Sequence, residues 1–327
     1  MTFLRPLTLA ATALAVLSGT AASAQEWQPR KPVELIIMAG KGGGADQIAR
    51  LLQGLIDQKG LSPRPFIPIN KPGGSGAEAL TYLQDKAGDD HTVMVTLNSY
   101  YTTPVIQEDL GIEIANYTPI GLMALDTFLL WVQADSGITT LDEYVQAVKD
   151  SGEWKVGGTG SGQEDSILTA MMENEFDYDV TYIPFPGGGT VAKNLVGGFV
   201  DSTVNNPAEQ TEFFRAGRST PIVQFTDERM DAFPDVPTAK EEGADLEYYM
   251  QRSINGPPNM SDEAVQWYTN LFEELFRSEE WQGFCESEGL FCDEWVAGEQ
   301  LAEFHQEQLE RHKNLIESVG AEAITSQ

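Results

Sequence analysis

The amino-acid sequence predicts an α/β fold in two lobes, each a mixed sheet flanked by helices, and three observations carry that expectation. The first is the stretch Val33–Ile56. A short apolar run, Val33 to Met38, shows no helical spacing and suits a strand buried on both faces. Gly40-Lys41-Gly42-Gly43-Gly44 interrupts it, and apolar residues then recur at Ile48, Leu51, Leu52, Leu55 and Ile56, the rhythm of an amphipathic helix. The second observation is a repeat of that pattern more than 100 residues later. Lys155 to Asp165 is again a β-like approach and a glycine loop, followed by a helical pattern at Ile167, Leu168, Met171, Met172 and Phe176. The third is Tyr117–Gln133, two apolar runs separated by Asp126-Thr127, which reads as a strand crossing between lobes. Each glycine loop delivers its own N–H groups and those of a first helical turn to one point, where the helix dipole favours negative charge. Two such units suggest helix N-termini aimed at a shared cleft that suits a ligand bearing negative charge. The competing reading is a pair of glycine turns that only reverse the chain.

The address comes from residues 1–24. Arg5, an apolar run around Leu7–Leu17 and Ala22-Ser23-Ala24 before Gln25 form a secretory signal with an A-x-A cleavage site. No later segment reaches the roughly 18 consecutive apolar residues of a spanning helix. An exported, soluble product of about 300 residues is expected, enough for two lobes of ordinary size. The chain carries 20 basic and 50 acidic residues, a formal charge of −30. Removing the signal, which holds one base and no acid, takes this to −31. Such acidity argues against nucleic acid or an anionic membrane surface as partner. A global field of this sign opposes an anionic ligand, but screening over about 8 Å lets local N–H groups in a cleft outweigh distant surface carboxylates. Cys285 and Cys292 are the only cysteines, and in an exported chain an even pair at this spacing reads as a disulfide rather than a metal site.

In chain order, Pro63–Asn70 is a Pro-punctuated, edge-like strand, turned by Lys71–Gly76 into a helix near Ala77–Gln84. His91–Leu97 reads as a strand that delivers Asn98, Ser99, Tyr100 and Tyr101 at its C-terminal end, where ligands of open α/β sheets bind. Ordinary packing is the alternative for the two tyrosines. Leu141–Asp150 is a helix, and Val180–Phe185 a strand ending in the loop Pro186-Gly187-Gly188-Gly189-Thr190. Strands follow at Phe199–Val204, presenting Asn205-Asn206-Pro207, and at Ile222–Phe225. A Pro-stiffened loop, Phe233–Thr238, precedes a short helix at Ala239–Gly243. Tyr248–Asn255 returns the chain to the first lobe with Arg252 on it. From Ser261 the pattern is helical and charged, with an apolar stripe at Val265, Tyr268, Leu271, Phe272 and Leu275. The expected division is residues 25–126 and 250–327 in lobe I, and 127–249 in lobe II.

These runs, in this order, resemble the periplasmic solute-binding proteins of tripartite tricarboxylate transporters, the Bug-type receptors. The family's strand and P-P-G-G-G-x-D loop are matched by Ile36–Asp46, and its N-x-P-G-A-G-G turn by Asn70–Gly76. Gly158–Gln163 matches its glycine/serine loop, Ile183–Gly187 its V-P-Y-x-G, and Phe233–Thr238 its L-P-D-V-P-T. The resemblance implies a periplasmic-binding-protein-like, Venus-flytrap receptor in the periplasm. Such a receptor captures a small organic carboxylate and presents it to an integral-membrane permease. It needs no cofactor or metal, is not an enzyme, and is expected as a monomer. Carboxylate contacts are implied at Gly43, Gly44, Ala45 and Asp46, with Thr159, Gly160 and Ser161 opposite. Further pocket candidates are Asn98, Ser99, Tyr100, Phe185 and Gly187.

Three departures from the family bear on the ligand. Lys41 stands where a proline is usual and places a cation beside the proposed anion site. Arg252 stands where an aromatic residue is common and is placed for a bidentate carboxylate contact; a surface or interlobe ion pair is its alternative. Asn205 replaces an acid that in many members meets a ligand's amine, which makes an amino-acid ligand less expected. Two other function classes compete. Gly40 to Ala45 fits G-x-G-x-x-A, the signature of a dinucleotide-binding enzyme, but Asn70-Lys71 stands where the ribose-binding acid belongs. A secreted interaction protein with purely structural glycine loops is the other. His91, His305 and His312 are scattered, and solvated helix positions account best for the last two.

Overall fold

A computed structural model describes residues 27–320; the expected signal at 1–24 lies outside them. Two five-stranded mixed sheets form the frame. The first runs in the order β2 (Phe66–Asn70), β1 (Val33–Ile37), β3 (Thr92–Val95), β10 (Met250–Gly256), β4 (Thr118–Asp126). In it, β1 is parallel to β2 and β3, while β10 is antiparallel to β3 and β4. The second sheet repeats this plan as β7 (Thr181–Pro184), β6 (Lys155–Gly158), β8 (Ser202–Asn205), β5 (Leu129–Gln133), β9 (Ser219–Gln224). There β6 is parallel to β7 and β8, and β5 antiparallel to β8 and β9. The glycine-loop strands β1 and β6 thus hold equivalent places. Each sits between parallel neighbours, which explains why Val33–Met38 reads as an apolar run without alternation. Pro68 lies in the edge strand β2, the position where its missing N–H is tolerated.

Ten helices cover the sheets among the described residues. Those that shape the cleft are α1 (Gly44–Lys59), α3 (Ser99–Ile106), α5 (Glu164–Phe176), α6 (Gly188–Val196) and α7 (Pro207–Arg215). The others are α2 (Ala77–Asp85), α4 (Leu141–Ser151), α8 (Asp262–Phe276), α9 (Glu279–Glu288) and α10 (Gly298–Val319). On α1 the apolar stripe Ile48, Leu52, Leu55 and Ile56 is buried against the first sheet, and Gly60 ends the helix in the left-handed region at φ 66°. Burying a Leu or Ile side chain contributes roughly 1.5–3 kcal/mol, so this stripe fixes where α1 begins and hence where its N-terminus points.

Two chain crossings join the lobes, at Asp126–Phe128 between β4 and β5, and before β10, where Met250 pairs with Asp126. The Cys285–Cys292 disulfide forms. Its loop lies against both crossings: Phe291 exchanges two backbone hydrogen bonds with Leu125, each 2.9 Å, and its ring stands edge-on to Tyr249 with centroids 5.7 Å apart.

The structure differs from the expectations at three places. Asn98–Tyr101 is not a loose strand end but opens α3, where Tyr100 and Tyr101 are buried in the core. Ala239–Gly243 is a single turn rather than a helix, because Gly243 at φ 89° ends it after one round of hydrogen bonds. His305 and His312 are buried, not solvated. They lie on the inner face of α10, where His305 Nδ1 meets the Tyr101 hydroxyl at 2.7 Å and Nε2 meets Asn255 Oδ1 at 3.1 Å. Burial pushes these imidazoles down, to about 3 for His305 and about 4 for His312, so both are neutral members of the core.

Candidate functional site

The site is built on the two glycine loops. In lobe I the chain leaves β1, turns through Gly42 at φ 81° and enters α1 at Gly44. The Asp46 carboxylate folds back to accept the Gly42 N–H at 2.9 Å, which fixes the loop. Arg50 and Asn70 donate to its other oxygen, each at 2.9 Å. In lobe II the same device recurs. Asp165, in the first turn of α5, accepts the Thr159 N–H at 2.7 Å, and Gln163 Oε1 accepts that of Gly160 at 2.8 Å. Both aspartates therefore serve the loops that carry them.

The two loops face each other across a narrow cleft, and the lobes are closed on it. Gly44 N–H, in the first turn of α1, donates 2.8 Å to Glu209 Oε1 on α7 of lobe II. Ser99 N–H, at the start of α3, donates 2.6 Å to Glu164 Oε1. Ser75 Oγ reaches the Ser161 carbonyl at 2.7 Å. Gly40 backs so closely on the Pro186 carbonyl that a Cβ there would overlap the oxygen. Between the loops remains a cavity of about 80 Å³, lined among others by Gly43, Gly44, Ala45, Thr159, Gly160, Glu164, Asp165, Glu209 and Arg252. In the same first turn of α1, the N–H groups of Ala45 and Asp46 lie where no intrahelical carbonyl reaches them.

Arg252 is the cation of the cleft. It is 1% exposed, and its Nε donates 2.9 Å to Asp126 Oδ2, with Nη2 on the same oxygen. Its Nη1 is buried without a partner among the described residues. Asp126 sits at one crossing and Arg252 on the strand that follows the other, so this pair ties the two crossings together. Around it stand three carboxyl groups of lobe II. Burial pushes Asp165 up to about 7, with the neighbouring Glu164 adding to the rise. Burial and the charge of Asp165 push Glu209 up to about 8. Glu164 also lies above the usual carboxylate range because it is buried. Asp46 goes the other way: burial opposes ionisation, but the hydrogen bonds from Arg50, Gly42 and Asn70 outweigh it and hold the group down.

Of the residues singled out from sequence, Gly43, Gly44, Ala45, Thr159, Gly160, Phe185, Gly187 and Arg252 line the cavity. Lys41 is exposed on the outer side of its loop. Asn98 holds the second crossing, donating to the Tyr249 carbonyl at 2.7 Å and accepting from Gln251 N–H at 3.0 Å. Tyr100 donates to the Ile114 carbonyl in the core at 3.2 Å. Asn205 donates 3.3 Å to the Gly188 carbonyl, which places it behind the third glycine loop. Sequence reasoning missed Glu164, Asp165 and Glu209. An acid in the first turn of a helix reads as an ordinary complement to the dipole, which hides one that also reaches across a cleft.

A sequence model described as the tripartite tricarboxylate transporter family receptor matches residues 48–321. The chain belongs to that family. A relative from Cupriavidus necator, a UPF0065 protein in the gbd 5′ region, is 26% identical over 315 residues, covering 95% of this chain and 94% of the relative. Among solved structures, the periplasmic binding protein BugD superposes with a TM-score of 0.83 at 20% identity, covering 90% of this chain and 99% of that one. MatC from Rhodopseudomonas palustris, solved with bound malate, gives 0.80 at 23% identity, covering 88% and 99%. The fold is thus the two-lobed, Venus-flytrap type of periplasmic binding proteins, and this tripartite tricarboxylate receptor belongs to a family of solute receptors rather than enzymes.

Proposed function

We propose that this receptor captures a small organic carboxylate between its two glycine loops and delivers it to the membrane permease of a tripartite tricarboxylate transporter. Export by the signal at residues 1–24 puts it in the periplasm, where it works as a monomer. The observation that carries the reading is the cavity itself. It brings the N-terminus of α1, the Thr159–Gly160 turn and the unpartnered Nη1 of Arg252 around a space sized for a small molecule. Backbone N–H groups at a helix start are fixed donors that lose little entropy when a ligand binds. The contacts are drawn from Gly43, Gly44, Ala45, Thr159, Gly160 and Arg252, with Phe185 and Gly187 walling the far end. The ligand carboxylate takes over the Gly44, Thr159 and Gly160 N–H groups now held by Glu209, Asp165 and Gln163. Asp46, Asn98, Ser99, Ser161 and Asn205 hold the loops and crossings in place. The malate seen in MatC supports a carboxylate as the ligand class.

A thermal-shift screen of a few dozen organic acids tests the reading. An acid at 100 times its dissociation constant adds about 2.7 kcal/mol to stability. A protein of this size should then melt several degrees higher, since about 2–4 °C accompanies each kcal/mol. A screen in which no carboxylate moves the transition would count against it.

A further inference from the structure

We propose that Glu209 and Glu164 form an internal latch, which holds the two lobes closed through the protein's own contacts and which a ligand carboxylate must break at Glu209 in order to bind. The displacement rests on the carboxylate-receptor reading above; the latch itself stands on contacts within the chain. The helices of lobe I that open onto the cleft bring no caps of their own. Gly43, at the N-cap of α1, has no side chain to offer. Asn98, before α3, makes no side-chain cap either, because its amide is committed to Tyr249 and Gln251 at the second crossing. A helix leaves its first N–H groups without intrahelical partners, and a side-chain oxygen at the N-cap commonly serves them. Here that oxygen arrives from the other lobe. Glu209 Oε1 accepts the first N–H of α1, at Gly44, and Glu164 Oε1 accepts the first N–H of α3, at Ser99. Both helices are capped in this way only while the lobes are closed.

The seat of the Glu209 carboxyl is made by glycines of both lobes. A Cβ on Gly188 of lobe II would overlap the carboxyl group, and one on Gly43 of lobe I would lie 3.3 Å from Oε1. Neutral contacts flank the two clasps: Thr102 Oγ1 donates 3.1 Å to the Gly162 carbonyl, and Gln47 Nε2 donates 3.3 Å to the Ala208 carbonyl. At Glu209 the latch is built to yield. Burial first, and the charge of Asp165 second, push this carboxyl up to about 8, so its ionised form is disfavoured in the seat. A ligand carboxylate is ionised, and a charged acceptor makes the stronger hydrogen bond to the same N–H. The Gly44 N–H is thus held by a weak internal acceptor until a stronger one arrives. A latch of this kind lowers apparent affinity, because only the unlatched fraction of molecules is ready to bind.

Small-angle scattering and amide hydrogen exchange on the mature protein, with no acid added, test the latch. The wild type should scatter as the closed form. The double variant Glu164→Ala/Glu209→Ala should have a larger radius of gyration, and exchange at the Gly44 and Ser99 amides should rise about tenfold or more. Glu209→Gln, which keeps an oxygen at the same place, should retain closure and the protection of Gly44. Calorimetric titration with malate, succinate and adipate then tests the displacement. Any of these that binds the wild type should bind Glu209→Ala about tenfold tighter, because no internal acceptor competes. A side chain that contacts the ligand, or only supports the fold, would weaken binding when removed. An open wild type, a double variant as compact and as protected as the wild type, or weaker binding by Glu209→Ala overturns the inference. If the double variant fails to fold, Gly188→Ala takes its place, since its new Cβ evicts the Glu209 carboxyl from its seat. Unchanged exchange at Gly44 in that variant overturns the latch. Scattering and exchange decide the latch whether or not any acid binds, so it and the carboxylate reading fail separately.

Discussion

The two glycine loops share one design and carry opposite chemistry. Each follows a central strand, each opens a helix, and each is fixed by an aspartate that bends back onto a loop N–H, Asp46 on Gly42 and Asp165 on Thr159. Across the cleft, however, lobe I offers donors and lobe II offers acids. Gly44 and Ser99 point N–H groups outward, and Glu209 and Glu164 come over to accept them. The aspartates show the consequence. Asp46 has the hydrogen bonds of Arg50, Gly42 and Asn70 to outweigh its burial and is held below its ordinary value, whereas burial, with Glu164 adding to it, pushes Asp165 up to about 7. The same motif therefore says little about charge preference; its neighbours decide that.

The largest effect expected from breaking this arrangement is at the crossings. Asp126→Ala leaves Arg252 buried and unpaired, and stranding one partner of a buried pair costs about 3–5 kcal/mol. Chemical denaturation would read it, and a change under about 1 kcal/mol would show that the pair is not the tie between crossings. Next comes Gly40→Ala, whose new Cβ would overlap the Pro186 carbonyl only when the lobes are closed. It should weaken ligand binding by about 100-fold, or roughly 2.7 kcal/mol, while leaving the melting temperature of the free protein nearly unchanged. Equal affinity in titration calorimetry would mean that closure at this contact is dispensable.

Much of this frame was legible in the sequence. The strand–loop–helix units, the crossing near Asp126 and the pairing of Cys285 with Cys292 all follow from periodicity, glycine placement and compartment. The hidden part is long-range. Glu209 lies 165 residues from Gly44, and nothing local separates it from a solvated first-turn acid. His305 and His312 fail for a related reason. On a charged helix they look solvated, and only the packing of α10 over Tyr101 and Tyr248 turns that face inward. Asn98 reads as a pocket residue at a strand end, but α3 begins directly after it and its amide is committed to the second crossing.

Smaller effects sharpen the contrast between the lobes. Replacing both cysteines by serine should cost about 2.5 kcal/mol by the chain-entropy estimate for an eight-residue loop, checked by comparing denaturation midpoints. Because that loop braces both crossings, ligand affinity should fall as well; unchanged affinity would make the bond a purely local staple. Lys41→Ala is the smallest. Its side chain is exposed outside the cavity, so binding should change by no more than about 0.5 kcal/mol. A larger loss would restore Lys41 as a ligand contact.

The central claim, that lobe II meets the donors of lobe I with carboxyl groups that burial raises above the ordinary carboxylate range, is tested most directly by following single carboxyl resonances with pH in the ligand-free protein. The sign is fixed by the shifts. A group raised in the folded state binds more protons there than when unfolded, so Asp165 and Glu209 make the closed protein less stable as pH rises from about 4 towards 8. Asp46, lowered, adds stability that is lost only as pH falls through its depressed value. Carboxyl-labelled aspartate and glutamate, assigned with Asp165→Asn and Glu209→Gln, should show Asp165 titrating near 7 and Glu209 near 8, with Asp46 below its ordinary value. If all three titrate together near 4, the range of ordinary carboxylates, the lobes do not differ in the way described and the account is contradicted.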